Sequence, residues 1–546
     1  WACSVCEFNN LEGVAHCSLC LTPRDTYLIE ANDSVTTFRH GQVSLQPPLV
    51  PRPVMNTLFY LHSVLPEDLN PRQRSARMRR QWTRAIDADG AVTWACHFTN
   101  APCSTSSHVV QVLKPTSDDS SSVELSWLPL HALAGQDMTV LGETLPTTTW
   151  TYLVELAALP FSVKFAWFLH QAASLVLPQN IKVKCSRDRL LPDAVDTLLG
   201  LDGPMRCSSL RFEFQGEVGR DAGGLQREWY MCAAEAFLAC GLFAVANRDD
   251  NSYFINVDAT HALQSSSLAH LQVSEAFRAA GRFVGRALLD GQMLTCPLNP
   301  ILFKVLLGTP LTLDDVESLD RSVYKSLVYL LTHEDVDALT LTFSVSEPMP
   351  SSGHYSIVDL IPNGQDIAVT DANKRDYVDR MVRYLLFDRV QTELLALVQG
   401  VYDIIPRELL LPFDHKELEL LLCGLTDIDV VDWETNTTLS SDLIGTSLVH
   451  WFWDIVRAMS QVDRAKLLQY TTGCSRVPVQ GFKGLTSYDG KISRFALRGV
   501  AYFAGAYPRV HTCFNRIDLP RYPTKVLLED AIKTLLLSNA TGFTIE

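Results

Sequence analysis

The residues best suited to chemistry lie near the end of the chain, in the run His511-Thr512-Cys513-Phe514-Asn515. Cys513 is a candidate nucleophile, because a thiolate attacks thioesters well and even an unperturbed thiol is a few per cent ionised near neutral pH. If residues 510–514 run as a strand end, the two-residue period places His511 and Cys513 on one face. The imidazole there would favour the thiolate by charge or hydrogen bonding. A lone cysteine is more often a small buried hydrophobe, so its surroundings decide. Leu519, Pro520 and Tyr522 follow, and the chain closes with Gly542, Phe543 and Glu546.

A second group with chemistry opens the chain. Trp1, Cys3, Cys6, Asn10, Cys17 and Cys20 read W-x-C-x2-C-x3-N-x6-C-x2-C. Two C-x-x-C knuckles at this separation can set four thiolates around one tetrahedral zinc. So short a segment has too little core to fold alone, and the metal would supply the folding energy. Four unrelated cysteines or a redox pair are the alternatives.

Bulk properties bound the rest. At 546 residues the chain holds several domains. Hydrophobic content of 47% with 20% charged describes a globular chain with ample core. A net charge of -15 and a pI near 5.4 argue against general nucleic-acid binding. No apolar run reaches the ~18 residues of a membrane span. There is no signal-peptide pattern, and the chain starts at Trp1 rather than Met, as a fragment would. The cysteines show no disulfide-like framework, which suits a reducing compartment, cytoplasmic or nuclear.

Several elements that must position the two groups are legible. Leu210, Phe212 and Phe214 alternate with polar residues as in a half-buried strand. Residues 219–229 form a Gly-rich loop opening a helix, ending Arg227-Glu228-Trp229; without a Walker Lys-Ser/Thr, phosphate binding is disfavoured. Asp414 with Glu417 predicts a capping box, and Gly424 a C-terminal cap. Tyr377, Met381, Tyr384 and Leu385, then Leu394, Leu395 and Val398, predict an amphipathic helix. Pro47, Pro48, Pro51 and Pro53 predict an extended linker. Arg72, Arg74, Arg77, Arg79, Arg80 and Arg84 read as a solvated helix face or as a patch for an anionic partner or nuclear import. Asp87-Ala88-Asp89-Gly90, between Trp82 and Trp94, predicts a hairpin.

The stretch His511 to Asn515, with Leu519-Pro520 and Tyr522, resembles the active-site segment of HECT ubiquitin ligases. The resemblance begins at Leu159-Pro160-Phe161 and strengthens from Ile181 to the last residue. It includes Asp221-Ala222-Gly223-Gly224-Leu225-Gln226-Arg227-Glu228-Trp229, whose role it implies to be architectural, and residues 468–478, where Cys474 stands in place of the family's usual Thr. It implies an α+β chain with a bilobal HECT domain: a large, mainly helical N-lobe at 159–434 and a small α/β C-lobe at 447–546. The hinge is placed at 435–446, because the nucleophile must reach first a docked partner and then a substrate lysine. Residues 298–384 are implied to grip the ubiquitin-conjugating enzyme, with Val323 and Leu327 as docking candidates. Cys513 would accept ubiquitin as a thioester and pass it to a substrate lysine, making the protein a ubiquitin-protein transferase. His511, Thr512, Phe543 and Glu546 complete the implied catalytic set, with Asp518 a second carboxylate that could orient the lysine. Catalysis would need no cofactor. The partners would be a conjugating enzyme, ubiquitin and a protein substrate, with no membrane or nucleic acid.

Residues 1–28 resemble the Ran-binding-protein-type (NZF) zinc finger, which implies one structural zinc on Cys3, Cys6, Cys17 and Cys20. Some relatives of that finger bind ubiquitin and others RNA. Phe8 and Leu19 match apolar positions of the ubiquitin binders, whereas Glu7 replaces their Thr. The absence of arginine between Cys6 and Cys20 disfavours phosphate contact. Residues 29–158 read as a linker and a partly β region, similar around Trp82 and Trp94 to the first strands of a WW domain. A non-catalytic ubiquitin-binding scaffold is the alternative function. A cysteine hydrolase of papain type would need a histidine after the cysteine, and His511 is the last in the chain.

Overall fold

The computed structural model describes residues 1–28, 63–97, 106–113, 123–133, 139–216, 224–247, 251–349, 354–486 and 491–537. These form two compact units, Trp1–Gln81 and Trp82–Glu546. The proline-rich stretch at 47–53 lies outside the described residues.

The first unit is built on two matching knuckles. After each second cysteine the backbone turns left-handed, at Glu7 (φ 56°) and Leu21 (φ 61°). The amide of each of these residues donates to the carbonyl of the first cysteine of its knuckle, Cys3 or Cys17, at 2.9 and 2.8 Å. Asn10 ties the knuckles together: its side chain donates to Phe8 O and accepts from Ser18 N. Helix Pro71–Arg77, started by an Asn70/Gln73 capping box, lies in the same unit. Its arginines are not a free basic patch. Arg72 donates to Leu19 O (3.0 Å), and buried Arg79 donates to Cys6 O (2.9 Å) with its guanidinium 5.8 Å from the Phe8 ring. Carbonyls of a knuckle cannot all be met locally, and long guanidinium arms meet them from outside.

The second unit opens with the expected hairpin, Trp82–Ile86 against Val92–Cys96. Asp87 accepts from the amides of Asp89 and Ala91, and Gly90 takes φ 82°. The hairpin is not a detached WW-like module. Val92 and Trp94 share a core with Trp150, Leu153 and Leu411, and Arg84 stacks 4.3 Å from the Trp94 ring while donating to Leu307 O. A second hairpin, His108–Leu113 with Glu124–Pro129, bonds to Leu311 and Gln391. The middle region is thus a flank of the large lobe.

The large lobe centres on helices Val273–Leu289 and Gln391–Ile404. A Cβ at Gly281 would lie 2.2 Å from Leu397 O, and one at Gly400 2.2 Å from Arg278 O, so the two backbones touch. Arg278 and Arg282 both pair with Asp403 across this contact. Buried Arg282 also satisfies the carbonyls of Leu198, Leu199 and Leu201 at the end of another helix. Burial alone would raise the Asp403 carboxyl, but the hydrogen bonds from Arg278 and Arg282 outweigh it and hold the group below its ordinary range. The single amphipathic helix expected over 377–398 is two, Lys374–Leu386 and Gln391–Ile404, because Phe387 leaves helical geometry (φ -139°, ψ -64°). The capping box at Asp414 and Glu417 is formed, and Glu417 also pairs with buried Lys164 at 2.5 Å.

The small lobe has a four-stranded sheet in the order Thr438–Leu439, Ala496–Val500, Arg516–Pro520, Arg509–His511, the last strand antiparallel. Its core runs from Ile428 through Trp433, Leu443, Phe452, Trp453, Phe482 and Phe495 to Leu535. Residues 435–446 are therefore not the inter-lobe passage: Thr438–Leu439 is a sheet strand and Leu443 is fully buried. The polar composition of that stretch reflects a surface turn of the small lobe. The chain passes between the lobes at 424–427, after Gly424 (φ 65°) ends helix His415–Cys423.

Candidate active site at the lobe junction

The edge strand Arg509–His511 ends at His511, and Thr512–Phe514 form one 3-10 turn. Asn515 then adopts φ 50°, ψ 41°, its amide donates to Thr512 O, and the chain returns with His511 opposite Arg516. Strand alternation therefore stops before Cys513, which lies within the reversal and not along a strand face.

The residues around this turn are held firmly. His511 Nε2 lies 3.0 Å from Asp518 Oδ2, and Arg516 Nε lies 2.9 Å from Asp518 Oδ1. Asp518 thus has His511 as a hydrogen-bond partner and Arg516 as an ion-pair neighbour. Thr512 is buried, whereas Phe514 is exposed with the Arg516 guanidinium 5.9 Å from its ring. Asn515 is fully buried; its Nδ2 donates to Ser493 O (2.7 Å) and Thr486 O (3.0 Å).

The acceptor atom of Asn515 is met from the other lobe. Arg227, in the first turn of helix Gly224–Ala239, donates to Asn515 Oδ1 (3.1 Å), Thr472 O (3.1 Å), and the carbonyl and hydroxyl oxygens of Thr486. Sequence reasoning read Arg227-Glu228-Trp229 as architecture. That holds for Trp229, packed on Phe212 and Phe283, and for buried Glu228, paired with Arg187 at 2.8 Å. Arg227 differs, and a partner 288 residues away leaves no mark in local spacing.

Phe543 and Glu546 lie outside the described residues. Burial pushes the Cys474 thiol up, and its sulfur accepts from Arg476 N, so it is poorly suited to nucleophilic attack.

On helix Arg321–Thr332, Leu327 is 3% exposed and points inward with Leu330, which removes it as a docking contact; Val323 is half-buried. The outward apolar residue is Tyr329, stacked 3.8 Å from the His333 ring. Leu339, Tyr355 and Ile357 are exposed in the same 298–384 segment.

In the first unit, Cys3, Cys6, Cys17 and Cys20 are buried with their sulfurs within 4.8 Å of one another. Two sulfur pairs stand at 3.6 Å. Four thiolates at ~2.3 Å from a zinc define tetrahedral edges of about 3.8 Å, so the donor set fits a metal. Phe8 and Leu19 are 5% and 2% exposed, under the arginine-rich segment, so neither is available as a surface contact. Their apolar character, which matches the ubiquitin binders, also suits packing within their own unit. Among the described residues, no helix is long and apolar enough to cross a membrane.

The HECT-domain (ubiquitin-transferase) family matches residues 231–546. E3 ubiquitin-protein ligase ptr1 of Schizosaccharomyces pombe is 36% identical over 378 residues, covering 69% of this chain and 11% of that protein. E3 ubiquitin-protein ligase TOM1 of Saccharomyces cerevisiae is 36% identical over 341 residues, 62% of this chain and 10% of that one. E3 ubiquitin-protein ligase pub3 of Schizosaccharomyces pombe is 34% identical over 386 residues, 70% of this chain and 47% of that one. The chain thus spans under half the length of each of these relatives.

Proposed function

The chain belongs to the HECT-domain (ubiquitin-transferase) family, and on that premise we propose that it is a HECT-type ubiquitin-protein ligase using Cys513 as its acceptor. The observation that carries this reading is the turn at 512–515: it reverses the chain between strands Arg509–His511 and Arg516–Pro520 and is pinned on both sides by His511–Asp518 and by Asn515.

The Cys513 thiolate attacks the carbonyl of the ubiquitin thioester carried by a conjugating enzyme, and that enzyme's thiolate leaves. One thioester replaces another, so the step is near balance and depends on positioning. A substrate lysine, as its free amine, then attacks the new thioester. An amide bond forms, the Cys513 thiolate leaves, and the amine proton passes to a base. Phe543 and the Glu546 carboxylate are candidates to dock the tail and receive that proton; Asp518 is already engaged by Arg516 and His511.

The conjugating enzyme would dock on the exposed apolar residues Tyr329, Leu339, Tyr355 and Ile357, with Val323 at the rim. The small lobe would travel about the 424–427 passage. The four buried thiols of the first unit would hold one zinc, which when bound supplies folding energy to a segment with little core. This finger resembles the NZF type; binding of ubiquitin through Phe8 and Leu19 would require the 71–80 segment to withdraw. The thiol usage suits a cytoplasmic or nuclear setting.

Incubating the chain with ubiquitin-charged conjugating enzyme tests the reading. A reductant-sensitive ubiquitin adduct should form and should vanish in the Cys513→Ala variant. An undiminished adduct in that variant would refute the assignment.

A further inference from the structure

We infer that Arg227 is a positioning residue for the lysine-transfer step: a guanidinium latch that fixes the Cys513 turn against the large lobe. The inference rests on the transferase reading above and adds a residue outside the turn itself.

Three observations converge. First, among the described residues the large lobe reaches the 512–515 turn by a side-chain hydrogen bond from Arg227 to Asn515 Oδ1 at 3.1 Å. Second, the same guanidinium reaches three separate segments of the small lobe: the end of helix Gln461–Thr472, the loop at Thr486, and the turn. A planar fork donating to several acceptors fixes orientation as well as distance, which a point charge cannot do. Third, its main target is the residue that shapes the turn. Asn515 is fully buried, left-handed, and uses both side-chain N–H groups on Ser493 and Thr486 carbonyls. Arg227 supplies the remaining bond to its amide oxygen. A Cβ at Gly473 (φ 78°) would lie 3.5 Å from Arg227 Cβ, so the arginine's stem runs along that helix end.

The latch bears more on one chemical step than on the other. A thiolate is a strong nucleophile, and thioester exchange starts from a partner docked on 298–384, whereas the acceptors described for Arg227 are Thr472, Thr486 and Asn515. A lysine amine must arrive unprotonated and aligned, and a misplacement of about 1 Å can cost about a hundredfold. Fixing the turn against the large lobe therefore serves amine attack.

The test uses the full chain and separates the steps. Cys513 is loaded from charged conjugating enzyme in a single turnover. The conjugating enzyme is then quenched, and discharge is followed with substrate lysine and, separately, with hydroxylamine, a small nucleophile indifferent to geometry. For Arg227→Ala, loading and hydroxylamine discharge should stay within about twofold of the unsubstituted chain, while lysine transfer falls about tenfold to a hundredfold. Arg227→Lys should recover only a small part, since it keeps the charge and loses the fork. Unchanged lysine transfer in Arg227→Ala overturns the inference. Equal losses in loading, hydroxylamine discharge and lysine transfer overturn it as well, because they mark a damaged small lobe. Failure of the unsubstituted chain to load at all would refute the transferase reading, not the latch.

Discussion

Substituting Asn515 tests how the nucleophile's turn is made. Asn515→Ala removes two donors, leaving the Ser493 carbonyl unmet and the Thr486 carbonyl with Arg227 alone. A buried acceptor left without a partner costs about 1–3 kcal/mol. The site also holds φ 50°, where alanine pays about 1–2 kcal/mol that asparagine largely escapes through its local hydrogen bonds. Together these destabilise the turn by about 2–5 kcal/mol. Asn515→Gly loses the same hydrogen bonds but accepts the left-handed backbone, so it should be milder by about 1–2 kcal/mol. Hydrogen exchange over residues 491–518, read by mass spectrometry, reports local opening directly. At about 1.4 kcal/mol per tenfold, the alanine variant should exchange there roughly thirtyfold or more faster, and the glycine variant about tenfold slower than alanine. Loading of Cys513 should fall in the same order. If glycine opens the turn as much as alanine, backbone strain is not part of the design; if neither moves exchange, the hydrogen-bond account is wrong.

Two further outcomes follow from burial. Tyr329→Ala should slow loading from charged conjugating enzyme about tenfold while leaving stability within about 0.5 kcal/mol. Leu327→Ala should instead cost about 2–5 kcal/mol in denaturant unfolding, since that side chain is 3% exposed; a loading defect without destabilisation would return Leu327 to the surface. Stripping metal with a chelator should unfold Trp1–Gln81 and leave the core of Trp82–Glu546 intact, seen as rapid exchange confined to the first unit. Exchange in the first unit that does not respond to chelation would mean the four thiols hold no structural metal.

What the sequence disclosed and what it hid divide along a physical line. Features whose determinants are adjacent were legible: the two knuckles, the Asp87–Gly90 hairpin, and the capping box at Asp414 and Glu417. Each depends on residues within a few positions of one another. Features set by packing were not. The polar run at 435–446 looks like a linker, yet Leu443 and the strand at 438–439 belong to a core assembled with residues up to Leu535. Phe387 breaks a helical pattern without proline or glycine to announce it. Leu327 and Val323 share an apolar stripe, and only the neighbours decide which side of it is covered. The basic run at 72–84 has the composition of a patch, but its guanidiniums are drawn onto carbonyls of the finger and of Leu307, an outcome that charge counting cannot see. Arg227 is a further case, with acceptors between 245 and 288 positions away.

That separation has an energetic consequence for the proposed transferase, which would have to change partners. Hydrogen bonds to charged donors contribute about 1.5–3 kcal/mol each when well shielded, and less where water competes, as at half-buried Arg227. A net latch of about 3 kcal/mol would keep the unlatched lobes at roughly one part in 150. Such a population is large enough to be captured by a docked conjugating enzyme, provided docking favours the open arrangement by a similar amount. A latch twice as strong would leave loading starved, and one near zero would leave the turn free to wander during amine attack. The acceptors described for Arg227 are backbone carbonyls, the Thr486 hydroxyl and the Asn515 amide oxygen, each of them neutral. A carboxylate in place of Asn515 would strengthen the pair but turn its donors into acceptors facing the Ser493 and Thr486 carbonyls. Neutral partners keep a contact directional and breakable, which is what the proposed travel of the small lobe would require.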